Sequence, residues 1–206
     1  LSEGLTPWQA MNKESGLRAA RHVLPRMFEV DEEGKPFLVM PALRGTLDDY
    51  FRDREGKDRR NCLKRGYPSR EVTLGFMIDV ASGLGELHTM FHKAYGDLKF
   101  DNILIDSFDR AVLTDLGTTT VLDSEKIKKG RGFLQTRAPE IHLGGKLETY
   151  SDSYSNAALD YRMLTGSYPL EEEIENDPNF FQKIKQRDFN KKIKKKVKRN
   201  APNPFH

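Results

Sequence analysis

One stretch, residues 95–117, reads YGDLKFDNILIDSFDRAVLTDLG and limits what the rest of the chain can be. Asp97, Lys99 and Asn102 stand at the spacing D-x-K-x-x-N, and Asp115 opens a D-L-G one short hairpin later. The apolar runs 102–105 and 111–114 flank the turn Ser107-Phe108-Asp109-Arg110, so they read as two strands that hold both carboxylates on one rigid hairpin. Phosphoryl transfer needs a carboxylate near the attacking hydroxyl, a cation on the phosphate being moved, and hard oxygen ligands for Mg²⁺. The four residues supply all three. Any one of them alone is more simply a turn residue or a solvated lysine; it is the joint spacing that argues for chemistry.

A chain of 206 residues is one large domain or two small ones, long enough for a buried core. Charged residues make up 32% and the mean hydropathy is -0.68. No apolar run approaches the roughly 18 to 20 residues of a membrane span. A net charge of +3 does not argue for nucleic acid. Cys62 is the single cysteine, which excludes an intrachain disulfide and a cysteine-rich zinc site. Residues 1–7 show neither an initiator methionine nor a charged-then-apolar signal pattern, so the chain reads as trimmed or processed.

Apolar residues Trp8, Met11, Leu17, Ala20 and Val23 recur at roughly helical spacing after the pair Thr6-Pro7, predicting a helix over 7–24. A β-hairpin is predicted from 26–30 and 36–40 around Asp31-Glu32-Glu33-Gly34. Thr46 should cap a short helix with Asp48 and Asp49 in its first turn. Residues 52–70 are dense in Arg and Lys without periodicity, and read as an exposed basic loop. A helix is predicted over 72–93, with an apolar stripe of Leu74, Met77, Ile78, Ala81, Leu84, Leu87 and His88; the histidine is read as a core residue. The tail, 188–199, is a lysine-rich helix with Ile193 and Val197 four apart, read first as a surface helix docked by those two residues.

The 95–117 run resembles the catalytic loop and metal-binding turn of eukaryotic protein kinases, H-R-D-L-x-x-x-N followed by D-F-G. The resemblance extends to Ala138-Pro139-Glu140, which would close an activation segment, and to Ser151-Asp152-Ser153-Tyr154-Ser155 with Tyr161-Arg162-Met163-Leu164-Thr165-Gly166, similar to the buried kinase helix S-D-x-W-S…Y-x-L-L-T-G. It implies an α+β, protein-kinase-like fold, with a reduced or truncated amino-terminal lobe over 1–43 and a mostly helical carboxyl-terminal lobe over 44–206. It implies Mg·ATP as cofactor and a protein Ser/Thr as acceptor. Asp97 would accept or orient the hydroxyl proton, Lys99 would neutralise the γ-phosphate, and Asn102 with Asp115 would hold Mg²⁺. Met40, the Pro41 carbonyl and the Leu43 N–H would meet adenine, and Glu14 would pair with a nucleotide-binding lysine. Asp152 would cap the catalytic-loop backbone from beneath.

The departures are as informative. No G-x-G-x-x-G loop and no V-A-I-K strand is present, and Lys13 lies too close to Glu14 to serve as that lysine. The missing strands either precede this chain or are lost from the lineage. Tyr95-Gly96 replace His-Arg, Leu116 replaces phenylalanine, Phe133 takes the place of a common threonine, and no arginine is evident as partner for Glu140. This is similar to the with-no-Gly-loop and rhoptry kinases secreted by apicomplexan parasites. Location in the cytoplasm, or secretion from a parasite if that likeness holds, is the corresponding expectation. Two other readings compete. One is a pseudokinase scaffold acting through partners at 52–70 or the tail, on an acidic protein or membrane surface; the other is a small-molecule phosphotransferase, disfavoured by A-P-E.

Overall fold

The computed structural model describes residues 21–24, 27–51, 68–122, 132–177, 179–183 and 186–200. Glu14, nearly all of the helix predicted over 7–24, and residues 52–67 of the basic loop lie outside these. Within them, the first element is the predicted hairpin, β1 (Met27–Val30) and β2 (Pro36–Val39), paired antiparallel with Met27 opposite Val39. Asp31 shapes its turn, its Oδ1 accepting from Glu33 N at 3.0 Å and Lys35 N at 2.7 Å.

The chain then passes through 40–44 into β3 (Gly45–Thr46) and α1 (Leu47–Phe51). Thr46 caps α1 as expected, with Asp49 N donating to Thr46 Oγ1 at 3.1 Å and Thr46 N to Asp49 Oδ2 at 3.0 Å. β3 pairs antiparallel with β5 (Ile103–Ile105), which pairs antiparallel with β6 (Ala111–Leu113), so the D-L-G hairpin forms the heart of a three-stranded sheet. Val23 adds a parallel bridge to Leu113, and Leu24 N donates to Leu113 O at 2.8 Å. The last apolar residue of the predicted first helix is therefore extended. Leu24 precedes Pro25, which disfavours helical geometry there, and the free edge of β6 takes up Val23.

Helix α2 (Arg70–Met90) begins at Ser69, whose Oγ accepts from Val72 N at 3.4 Å. It ends three residues earlier than the apolar pattern predicts, because Lys93–Ala94 form β4, antiparallel to β7 (Thr120–Val121). The predicted stripe is also out of phase in part. Leu74 and Ile78 are 43% and 65% exposed, while Thr73, Phe76, Val80, Gly83, Leu84 and Leu87 face inward. This helix carries apolar residues around much of its girth, and its packing on β6 and on the later helix Thr149–Thr165 selects the buried side.

Beyond the site come α3 (Pro139–His142), α4 (Thr149–Thr165), α5 (Glu171–Asn176), α6 (Phe180–Lys183) and α7 (Gln186–Asn200). The main core joins Leu47, Phe76, Leu87, Tyr95, Leu113 and Leu159, all fully buried or nearly so. Each such side chain contributes about 1.5–3 kcal/mol by leaving water. A smaller cluster of Leu170, Ile174, Phe180 and Phe181 receives Ile193 of α7, and Lys196 bonds Glu173 Oε2 at 2.9 Å. The basic tail thus docks through Ile193; the side chain of Val197 lies outside the described residues.

Candidate active site

The loop 95–102 connects β4 to the sheet, and three separate anchors fix its path. From beneath, Asp152 on α4 takes Tyr95 N on Oδ2 at 2.7 Å and Gly96 N on Oδ1 at 2.9 Å, with His88 Nε2 2.8 Å from Oδ2. This carboxylate is 1% exposed and accepts from every group that faces it. The expected cap is therefore in place. His88 is more than core filling, since it orients the carboxylate that holds the loop.

At its centre, the buried Tyr95 hydroxyl donates to Thr114 O, joining the loop to the residue before Asp115. At its end, Asn102 Nδ2 donates to Asp97 O at 2.9 Å and to Asp97 Oδ2 at 3.0 Å, closing the loop on itself. Lys99 Nζ lies 3.5 Å from the same Oδ2. Among the described residues, the side-chain contacts of the Asp97 carboxylate with Asn102 and Lys99 both fall on Oδ2.

Asp115 is brought to this group by the sheet. Thr114 N donates to Asn102 O at 2.9 Å, and Ile103 pairs with Leu113, so the residue after Thr114 emerges beside Asn102. Asp115 adopts left-handed geometry, φ 48 and ψ 67, with Oδ1 accepting from Gly117 N at 3.3 Å and the side chain open to solvent. Four of the sequence-predicted residues, Asp97, Lys99, Asn102 and Asp115, thereby share one loop-and-hairpin unit. Met40 and Pro41 are exposed and Leu43 is half-buried; they lead into β3, and Arg44 N donates to Ile105 O at 2.9 Å. The segment expected to meet adenine is thus tied to the sheet that carries Asn102 and Asp115.

Among the described residues, no three His, Cys, Asp or Glu side chains cluster as a ready-made metal site. Asn102 and Asp115 still suit Mg²⁺. The Asn102 amide nitrogen is committed to Asp97, which leaves its Oδ1, and Asp115 offers an open carboxylate; Mg²⁺ commonly takes one or two protein oxygens and completes its shell with phosphate and water.

Several contributors escaped the sequence reading. Thr136 Oγ1 donates to Leu98 O at 2.6 Å, fastening the segment before A-P-E onto the loop, and Arg137 Nη2 donates to Gly132 O at 2.5 Å within that segment. Arg162 and Asp48 form an ion pair at 3.0 Å, only 14% and 12% exposed, with the guanidinium 4.1 Å over Phe100 and 4.7 Å over Tyr168. Phe133 packs against Tyr168, ring centroids 5.5 Å apart, where a threonine was the expectation. Glu140 Oε1 accepts from Ser151 Oγ at 2.6 Å. Such pairings join residues far apart in the chain, and only their polarity within apolar surroundings could have marked them.

A sheet joined to a largely helical body, with an acidic loop capped from beneath and an acid-bearing hairpin beside it, is the arrangement of a protein kinase. The protein kinase domain model matches residues 23–205, and the chain belongs to that family. It is 33% identical over 164 residues to the LRR receptor-like serine/threonine-protein kinase EFR of Arabidopsis thaliana, covering 73% of this chain and 16% of that protein. It is 34% identical over 169 residues to the SNF1-related protein kinase catalytic subunit alpha KIN12 of Arabidopsis thaliana, covering 80% of this chain and 31% of the relative. The chain therefore spans less than a third of the length of either. A solved structure of the CAK complex from Chaetomium thermophilum bound to ATP-gamma-S contains a similar chain, with a TM-score of 0.62 and 18% identity, covering 82% of this chain and 52% of that one. This last likeness concerns the fold.

Proposed function

We propose that the chain is the catalytic part of an atypical protein kinase, with Tyr95-Gly96 in place of His-Arg, that transfers the γ-phosphoryl group of Mg·ATP to serine or threonine of a protein. The observation that carries this reading is the closure of Asp97, Lys99 and Asn102 on one carboxylate oxygen, with Asp115 delivered beside Asn102. In this reading Asp97 Oδ1 accepts the hydrogen bond of the attacking hydroxyl. Lys99 offsets charge on the moving phosphoryl group, and the two metal-directed oxygens belong to Asn102 and Asp115. Asn102 and Asp115 would hold Mg²⁺, which would supply charge neutralisation for the phosphoryl group being moved. Positioning and charge, with little covalent participation by the protein, supply the rate. Replacing Asp97 by Ala should lower phosphotransfer to a general acceptor such as casein by about 100-fold or more while the unfolding transition is retained. Equal turnover by that variant removes the assignment.

A pseudokinase scaffold is the second reading, favoured by Tyr95-Gly96 standing where a kinase carries His-Arg before the catalytic aspartate. Nucleotide response separates the two. A binder should gain about 2.7 kcal/mol when Mg·ATP is at roughly 100 times its Kd, and lose most of that gain when EDTA removes the metal. The scaffold should show no shift in either condition. For any partner of the tail, Ile193 is already packed within the protein, so exposed Lys191, Lys194 and Lys195 would act by charge on an acidic surface.

A further inference from the structure

Glycine precedes Asp97 where an arginine would be expected, and the local packing explains why no side chain fits. Gly96 has φ +80, and a Cβ there would stand 2.4 Å from Leu147 Cδ2. Gly132 crosses directly over it. With φ +92, a Cβ on Gly132 would lie 2.3 Å from Gly96 O and 3.9 Å from Asp97 Cα. The segment returning toward A-P-E therefore lies on the 96–97 peptide at a distance that only glycine at 132 permits.

Arg137 holds that crossing. Its Nη2 donates to Gly132 O at 2.5 Å, while the neighbouring Thr136 Oγ1 donates to Leu98 O on the far side of Asp97. Arg137 also shares with Gly96 the wall of a cavity of about 20 Å³, completed by Thr118, Ile141 and Leu147. Gly132, whose carbonyl takes Arg137 Nη2 and whose Cβ position lies 3.9 Å from Asp97 Cα, brings the guanidinium to the Asp97 side of the crossing; burial lowers the Arg137 pKa and attraction to the Asp97 carboxylate opposes that shift. A guanidinium keeps its charge under such pressure.

We propose that Arg137 is a positioning residue for phosphoryl transfer: it seats Gly132 on the 96–97 peptide and sets a fixed cation beside the Asp97 carboxylate. The arginine absent from the position before Asp97 is thus supplied from the segment lying over it. This rests on the kinase reading above. Its effect belongs to turnover. Asn102 and Lys99 both engage Oδ2, and the direction in which Oδ1 meets a hydroxyl depends on where the 96–97 peptide sits.

The test compares the full chain with Arg137→Lys, Arg137→Gln and Asp97→Asn, using Mg·ATP and casein. Lysine keeps the charge and a donor; glutamine keeps a donor alone. The expected result is kcat within about threefold of the original for Arg137→Lys and lower by about tenfold or more for Arg137→Gln, with KM for ATP within about twofold in both. Melting temperatures should agree within about 3 °C. Equal kcat in both Arg137 variants and the original, with Asp97→Asn inactive, overturns the role and leaves the kinase reading standing. Equal losses in kcat, KM and melting temperature for lysine and glutamine overturn it in favour of packing alone. An original chain no more active than Asp97→Asn removes the kinase reading and this role together.

Discussion

A single hydroxyl, that of Tyr95, ties the two acidic halves of the site to each other. The ring fills the core at 0% exposure while its oxygen reaches Thr114 O, so one side chain both packs and registers the loop against the residue before Asp115. Replacing Tyr95 by Phe keeps the packing and removes the bond. The expected cost is about 1 kcal/mol in urea unfolding, with a weaker stabilising response to Mg·ATP because Asp115 loses its fixed relation to Asp97. An unchanged nucleotide response would show that the sheet alone sets the distance. At this scale the sequence was legible where chemistry repeats a spacing, as in Asp97, Lys99, Asn102 and Asp115. It was silent on Thr136 and Arg137, whose partners are backbone oxygens at Leu98 and Gly132 that no side-chain pattern announces.

Among the elements, α4 is the one on which the loop rests. Asp152 was legible as a cap because it stands in a recurrent S-D-x-x-S setting, and its three bonds to Tyr95, Gly96 and His88 realise that expectation. Replacing Asp152 by Asn puts an amide donor where at least one donor already points. A cost of about 3 kcal/mol in unfolding free energy should follow, with phosphotransfer falling further than stability accounts for at temperatures where the variant is folded. The hairpins and α1 were equally readable, because turn residues and a capping threonine mark them locally. The phase of α2 was not. Leu74 and Ile78 are as apolar as Phe76 and Val80, and which pair turns inward is decided by β6 and α4, elements remote in sequence. The early end of α2 has the same origin, since Lys93–Ala94 become a strand through pairing with Thr120–Val121.

For the molecule as a whole, two half-buried groups set opposing trends of stability with pH. Burial raises Asp160 to about 6, its Oδ1 having no hydrogen-bond partner, and lowers His142 to about 4, where the ring stacks on Phe181 at 4.0 Å. Asp160 prefers to be protonated in the fold, so its contribution is complete below about pH 4 and is lost as pH rises through 6. His142 prefers to be neutral, so its contribution is complete above about 6.5 and is lost as pH falls toward 4. Between these limits the two slopes offset each other. Replacing Asp160 by Asn should raise the melting temperature at pH 7 by about 3–6 °C, after discounting for the partly open site, leave it unchanged near pH 4, and expose the His142 slope between. A variant whose melting curve stays parallel to the original across that range would contradict the assignment. The grip of Asp152 on the loop carries a last implication. A loop clamped by its own scaffold has no need of cargo to acquire its shape, so deuterium uptake at the Tyr95 and Gly96 amides should be equally slow in empty and nucleotide-loaded protein.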